Sequence, residues 1–151
     1  MVYLPPAFTE TREDALIAHI ERHDLAMLVT RRAEAPIVSQ TPFLLERRDG
    51  RLFLQGHLAR PNPQVADFDG EAEALVMFAG PHAYISPSWY ETGPAVPTWN
   101  YASVHAYGRL SVSTTRNGCA DWCGVSRSAT KRASPRRGGW RICLSHTCRR
   151  C

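Results

Sequence analysis

The chain has 151 residues, 44% of them hydrophobic and 21% charged, which suits one globular domain of ordinary size and excludes two large ones. No apolar run approaches the roughly 18 residues of a membrane span, and Met1 to Pro6 carries neither the basic patch nor the apolar stretch of a signal peptide, so a soluble, cytoplasmic protein is expected. The net charge of +4 joins two unlike parts: residues 1–113 hold 9 Arg, no Lys and 13 acids, whereas residues 114–151 hold 9 basic residues and one acid. All five cysteines, Cys119, Cys123, Cys143, Cys148 and Cys151, fall in the second part.

Phe8 to Asp24 places Leu16, Ile17, Ile20 and the stem of Arg12 at helical spacing, with Thr9 or Thr11 available as a cap and Glu13 and Asp14 in the first turn. A short amphipathic helix is predicted there. Ala26–Thr30 is a compact apolar run bounded by charge, and Ile37–Glu46 is a longer one containing Pro42; both read as strands. The turn Arg48-Asp49-Gly50 leads into Arg51–His57, where Leu52, Leu54 and Gly56 alternate with Arg51, Phe53 and Gln55 as in a hairpin partner. Asn62 is placed to cap a short helix that begins at Pro63 and runs to about Phe68. Glu73–Gly80 and His82–Ser86 read as two strands split by Gly80-Pro81, and Trp99–Val112 as one long β stretch. Six or so short strands with one or two helices predict a mainly β (α+β) fold built on a small β-barrel. No succession of strand, glycine loop and helix suggests a parallel nucleotide-binding sheet.

Three segments are denser in polar and aromatic residues than packing requires. In Gly56-His57-Leu58-Ala59-Arg60-Pro61-Asn62-Pro63, a strand end delivers His57 and Arg60 just before a helix start, and an Arg fork beside helix amides is what a phosphate needs. Taken as isolated residues, a strand-capping His57 and a solvated Arg60 are the plainer account. In Gly80–Tyr90 and Val96–Tyr101, aromatic side chains alternate with Ser, Thr and Asn, which offers flat faces to a ring and hydrogen bonds to its polar edge. Tyr84 and Tyr101 taken singly suit a barrel core. A loop from Ser86 to Thr98 flanked by Trp89 and Trp99 is harder to ascribe to packing. No nucleophile paired with a base is visible, and His105 on an alternating strand reads as a core or interface histidine, so no catalytic residue is assigned.

Several of these stretches resemble the PaiB-like proteins, described as FMN-binding negative transcriptional regulators with a split β-barrel like that of pyridoxamine phosphate oxidases. The resemblance rests on Tyr3-Leu4-Pro5-Pro6-Ala7-Phe8, on His57 to Pro63, on Gly80 to Tyr90, and on Val96-Pro97-Thr98-Trp99-Asn100-Tyr101 with Val104-His105-Ala106-Tyr107-Gly108 following. It covers residues 1–113. It implies an FMN-binding split-barrel domain over that range, a homodimer with FMN sites at its interface, and a regulatory role involving DNA. His57, Arg60 and Asn62 are the candidates for the phosphate end. Ser86, Trp89, Thr98, Trp99 and Asn100 are those for the ring and ribityl side.

Past Val112 the family pattern stops. Where the family continues with an acidic turn and a Pro-Glu-Trp-Leu helix start, this chain has Ser113-Thr114-Thr115-Arg116-Asn117-Gly118-Cys119. A zinc site from the five cysteines and His146 lacks a clean pair of Cys-x2-Cys knuckles, and a basic arm for nucleic acid rests on charge alone. A shifted frame is the leading account: starting each codon at the third base of the present one permits Asp-Asp-Pro-Glu-Trp and then Leu-Arg from Ser113 onward. Residues 114–151 are therefore expected to form a basic, cysteine-rich, disordered tail without metal, the C-terminal side of the domain being incomplete. The leading function is an FMN-binding transcriptional regulator of the PaiB type. The alternatives are a flavin-dependent small-molecule oxidoreductase on the same barrel and a truncated product without function.

Overall fold

The computed structural model describes residues 4–91, 93, 95–113 and 139–145, the last strand and Ser113 by backbone alone. After a single 3-10 turn at Pro6–Phe8 comes helix α1, Glu13–Arg22. Neither threonine caps it. Arg12 stands at the N-cap without a side-chain bond, Thr9 instead donates its hydroxyl to the Pro5 carbonyl, and Glu10 accepts from the Arg12 amide. Ile17 and Ile20 form the buried face of the helix, as their spacing predicts.

Six strands follow: β1 Leu25–Arg32, β2 Ala35–Arg48, β3 Arg51–Ala59, β4 Glu73–Ile85, β5 Thr98–Ser113 and β6 Gly139–Ser145. They close a barrel in the order β1-β2-β3-β6-β5-β4, with β4 returning to β1. The β2–β3 hairpin turns through Asp49 and Gly50, both at positive φ, which is the conformation that suits the twist of a two-residue connection. A single 3-10 turn, Pro63–Asp67, bridges β3 towards β4. All strand pairs are antiparallel except those of β6, which lies parallel to both β3 and β5.

Two expectations differ from this arrangement. Gly80-Pro81 does not divide two strands: β4 runs through it as one strand, and the irregularity is absorbed as a register shift between Ala79 and His82. The tail, expected to hold no folded element, supplies β6, whose Ile142 pairs with both Gly56 and Val112. The rest of the 114–151 segment, with Cys119, Cys123, His146, Cys148 and Cys151, lies outside the described residues.

Inside the barrel, Ala26, Leu28, Phe43, Leu54, Leu58, Val76, Phe78 and Leu110 share one cluster with Ile20, which brings α1 into the core. Phe43 and Phe78 meet edge to face at 6.1 Å. The Phe43 ring occupies the space a side chain at position 56 would need: a Cβ on Gly56 would lie 2.7 Å from Phe43 Cε1. That contact explains a glycine in mid-strand.

Candidate functional site

The first candidate group sits where β3 ends. His57 is half-buried within β3, and its carbonyl accepts from the Thr41 hydroxyl at 2.6 Å. Arg60 is exposed in the following turn and forms no ion pair among the described residues. Asn62 is otherwise engaged. Its Oδ1 accepts from the Gln64 amide at 2.9 Å and its Nδ2 donates to the Ser39 hydroxyl at 3.1 Å, so both polar atoms hold the turn in place. This is a five-residue 3-10 turn whose first amides are already bonded to Asn62, so it does not present the helix amides that a phosphate would use.

The residue that anchors this turn is one the sequence does not advertise. Gln64 is fully buried, and its Nε2 lies 3.1 Å from the Leu28 carbonyl, 3.0 Å from the Thr30 hydroxyl and 3.1 Å from the Ile37 carbonyl. Thr30 in turn donates to Asp67 at 2.7 Å, and Asp67 pairs with Arg32 at 2.7 Å. Arg32 also donates to the Pro63 carbonyl. Polar side chains of β1 thus clamp both ends of the turn, which fixes where Arg60 is presented.

The second group lies on a two-stranded ribbon. Among the described residues, 82–85 of β4 pair only with 98–101 of β5: His82 with Tyr101, Ala83 with Asn100, Tyr84 with Trp99 and Ile85 with Thr98. Thr98, Trp99 and Asn100 are exposed together on this ribbon. The Trp99 ring packs against Tyr84 at 6.0 Å and His82 at 5.5 Å. Where β4 ends, Ser86 caps a single 3-10 turn, Pro87–Trp89, by accepting from the Ser88 amide at 3.3 Å. Trp89 itself is exposed. Tyr84 and Tyr101, which suit a barrel core by type, are exposed here as well.

The structure therefore gathers Ser86, Trp89, Thr98, Trp99 and Asn100 at one ribbon, and His57, Arg60 and Asn62 at another place, with β6 between β3 and β5 in the sheet order. On β5, Val104 and Ala106 pack on the core, whereas the intervening His105 is half-buried with an Nδ1 that has no hydrogen-bond partner among the described residues. Among the described residues no group of His, Cys, Asp and Glu has the geometry to hold a metal ion. No helix among them is long and apolar enough to cross a membrane.

The chain is similar to several known proteins. The chain is 38% identical over 111 residues to the Protease synthase and sporulation protein PAI 2 of Bacillus subtilis, a match that covers 74% of this chain and 53% of that protein. It is 32% identical over 142 residues to the uncharacterized protein AN0679 of Emericella nidulans, covering 74% of this chain and 57% of that one. With the uncharacterized protein YKL070W of Saccharomyces cerevisiae it shares 40% identity over 75 residues, 46% of this chain and 44% of the other. The chain spans about half the length of the relatives it matches. The family described as "Putative FMN-binding domain" matches residues 2–141, and the chain belongs to that family.

Proposed function

We propose that this chain binds FMN as a homodimer and acts as a flavin-binding transcriptional regulator of the PaiB type. The family match over residues 2–141 carries the reading. The residues fit the ligand in kind. Trp99 and Trp89 offer exposed aromatic faces for a flavin ring, Thr98 and Asn100 offer polar atoms on the opposite face of the ribbon from Trp99, and Arg60 is a solvent-facing guanidinium with no competing carboxylate among the described residues. His57 stands in β3, three residues before Arg60; Asn62 and Ser86 support the two sites as caps. Because the two groups belong to separate elements of one protomer, a dimer that sets one subunit's ribbon against the other's β3 end would unite them. A bound flavin supplies electron transfer at its ring. This chain's residues orient that ring and neutralise the phosphate.

The regulatory role draws on the resemblance to PaiB-like proteins and on the sporulation-related name of the Bacillus relative. An oxidoreductase on the same barrel is the alternative, and turnover with NADPH separates the two. The visible spectrum of the purified protein, followed by fluorescence titration with FMN, is the direct test. Flavin should bind, and Arg60→Ala should weaken it by about 1.5–3 kcal/mol, the size of a lost charge-assisted hydrogen bond. Unquenched FMN fluorescence with folded protein would overturn the reading. We also infer a change of reading frame near Val112, from the loss of the PaiB-like pattern in the sequence from Ser113 onward. Sequencing the gene tests it: the frame starting at the third codon base should encode Asp-Asp-Pro-Glu-Trp-Leu.

A further inference from the structure

A groove of about 760 Å³ runs between α1 and the irregular stretch of β4. Beside its buried face, the helix turns a second stripe into this groove: His19, Arg22 and His23, with Ala15 and Ala18 leaving room between them. Gly80, Pro81 and His82 form the facing wall, and Ala102 of β5 closes it. The register shift between Ala79 and His82 is what brings His82 here. Gly80 is required by the approach of the helix, since a Cβ there would lie 2.3 Å from His19 Cε1 and 3.1 Å from the Ala102 carbonyl.

The protonation chemistry follows from the geometry. His19 Nε2 lies 3.2 Å from the Phe78 carbonyl, which can only accept, so Nε2 carries the hydrogen and Nδ1 is left to take up a proton or to meet a ligand. The His23 ring stands 4.7 Å from that of His19. Two imidazolium ions that close repel one another, and an anion beside them removes the penalty. Arg22 adds a fixed positive charge, and His82 a third imidazole whose ring leans on Trp99 at 5.5 Å. No carboxylate is among the described residues that line the groove. Cations in a last helical turn complement the helix dipole, which accounts for His19 and Arg22 alone; His82 comes from a different element and owes nothing to it. Metal binding does not suit the set, because Nε2 of His19 is committed and the described histidines do not form a metal-holding cluster.

We propose that this groove between α1 and β4 binds a small aromatic anion, a carboxylate or a phosphate monoester. The volume exceeds what an inorganic ion needs and falls in the range of small-molecule sites, about 300–1,000 Å³. Arg22 and the imidazoles hold the anionic group, while Pro81 and the alanines leave space for a ring.

The test uses the full chain freed of flavin, with histidine Cε1–H signals followed by NMR during titration with benzoate, phenyl phosphate and the neutral control benzyl alcohol. Either anion should shift His19, His23 and His82 saturably, and the stronger of the two identifies the anionic group. Arg22 is exposed, and Arg22→Gln should weaken binding at least 5-fold without altering the fold. Equal binding of benzyl alcohol, no saturable shift with either anion, or an Arg22→Gln variant that binds like the parent would overturn the proposal.

Discussion

The carboxamide of Gln64 faces two carbonyl oxygens and a hydroxyl, so it must present its NH2 group there; the flipped amide would set oxygen against oxygen. Replacing it tests that logic. Gln64→Leu keeps the volume but abandons the Leu28 and Ile37 carbonyls, at about 2 kcal/mol, whereas Gln64→Glu buries a negative charge against them and should cost about 3 kcal/mol or more. Urea unfolding at pH 7 measures both, and a Glu variant as stable as the parent would refute the clamp. Nothing in the sequence marks this position, because its importance arises from strands about 30 residues away. Glu10 presents the opposite case, a local and exposed pair. Side-chain hydrogen bonds from Arg12 at 2.7 and 3.1 Å, helped by the Arg12 amide, lower its carboxyl from 4.5 to about 2. A lowered carboxyl contributes stability that is present above pH 4.5 and is lost as pH falls through about 2. An NMR titration should find that midpoint, and Arg12→Gln should return it to the ordinary value. Its effect on global stability should be slight, since solvent screens the pair.

At the level of elements, the strand–turn order up to Val112 was legible because alternation and turn residues are local signals. Leu52, Leu54 and Gly56 sit in β3 as their alternation predicts, and Asn62 caps the turn it was assigned. Gly80-Pro81 misleads because a bulge and a chain break share the same residues, and only pairing with β5 tells them apart. Tyr84 and Tyr101 mislead for a related reason: aromatic residues favour strands whether or not the strand is covered. In the tail, overall composition obscured one short alternation, Trp140, Ile142 and Leu144 with Arg141, Cys143 and Ser145 between them. That run is β6, and it fills the seam between β3 and β5. Amide hydrogen exchange checks the pairing. Gln55 to Ala59 and Arg141 to Leu144 should be protected to a similar degree, because each strand's ladder relies on the other. Exchange of 141–144 at the rate of an open chain, with β2 and β4 protected, would contradict a sixth strand. Of the candidate site, the sequence reveals the residue types and their two segments but not where those segments lie in the sheet, which depends on how the barrel closes.

For the molecule as a whole, the distribution of apolar surface is the feature that calls for a partner. Tyr84, Trp89, Tyr90, Val96, Trp99 and Tyr101 are between 46% and 78% exposed, and all belong to the ribbon or the loop that joins its strands. Soluble monomers seldom leave so many large side chains open in one region. Meanwhile the core cluster of the described residues draws on none of them. A second copy that covers this surface would bury aromatic anchors of the kind that dominate binding energy, with Trp99 central because its ring is already fixed by His82 and Tyr84. Sedimentation at micromolar concentration should therefore find a dimer. Trp99→Glu removes the anchor and, in a two-fold interface, introduces its charge twice; a loss of about 2–4 kcal/mol would raise the dissociation constant about 30- to 700-fold. Because Trp99 lies outside the core, the variant should melt as a folded monomer, which distinguishes a lost interface from a lost fold. A parent chain that sediments as a monomer at tens of micromolar, with its melting unchanged, would show that this aromatic surface serves something other than self-association.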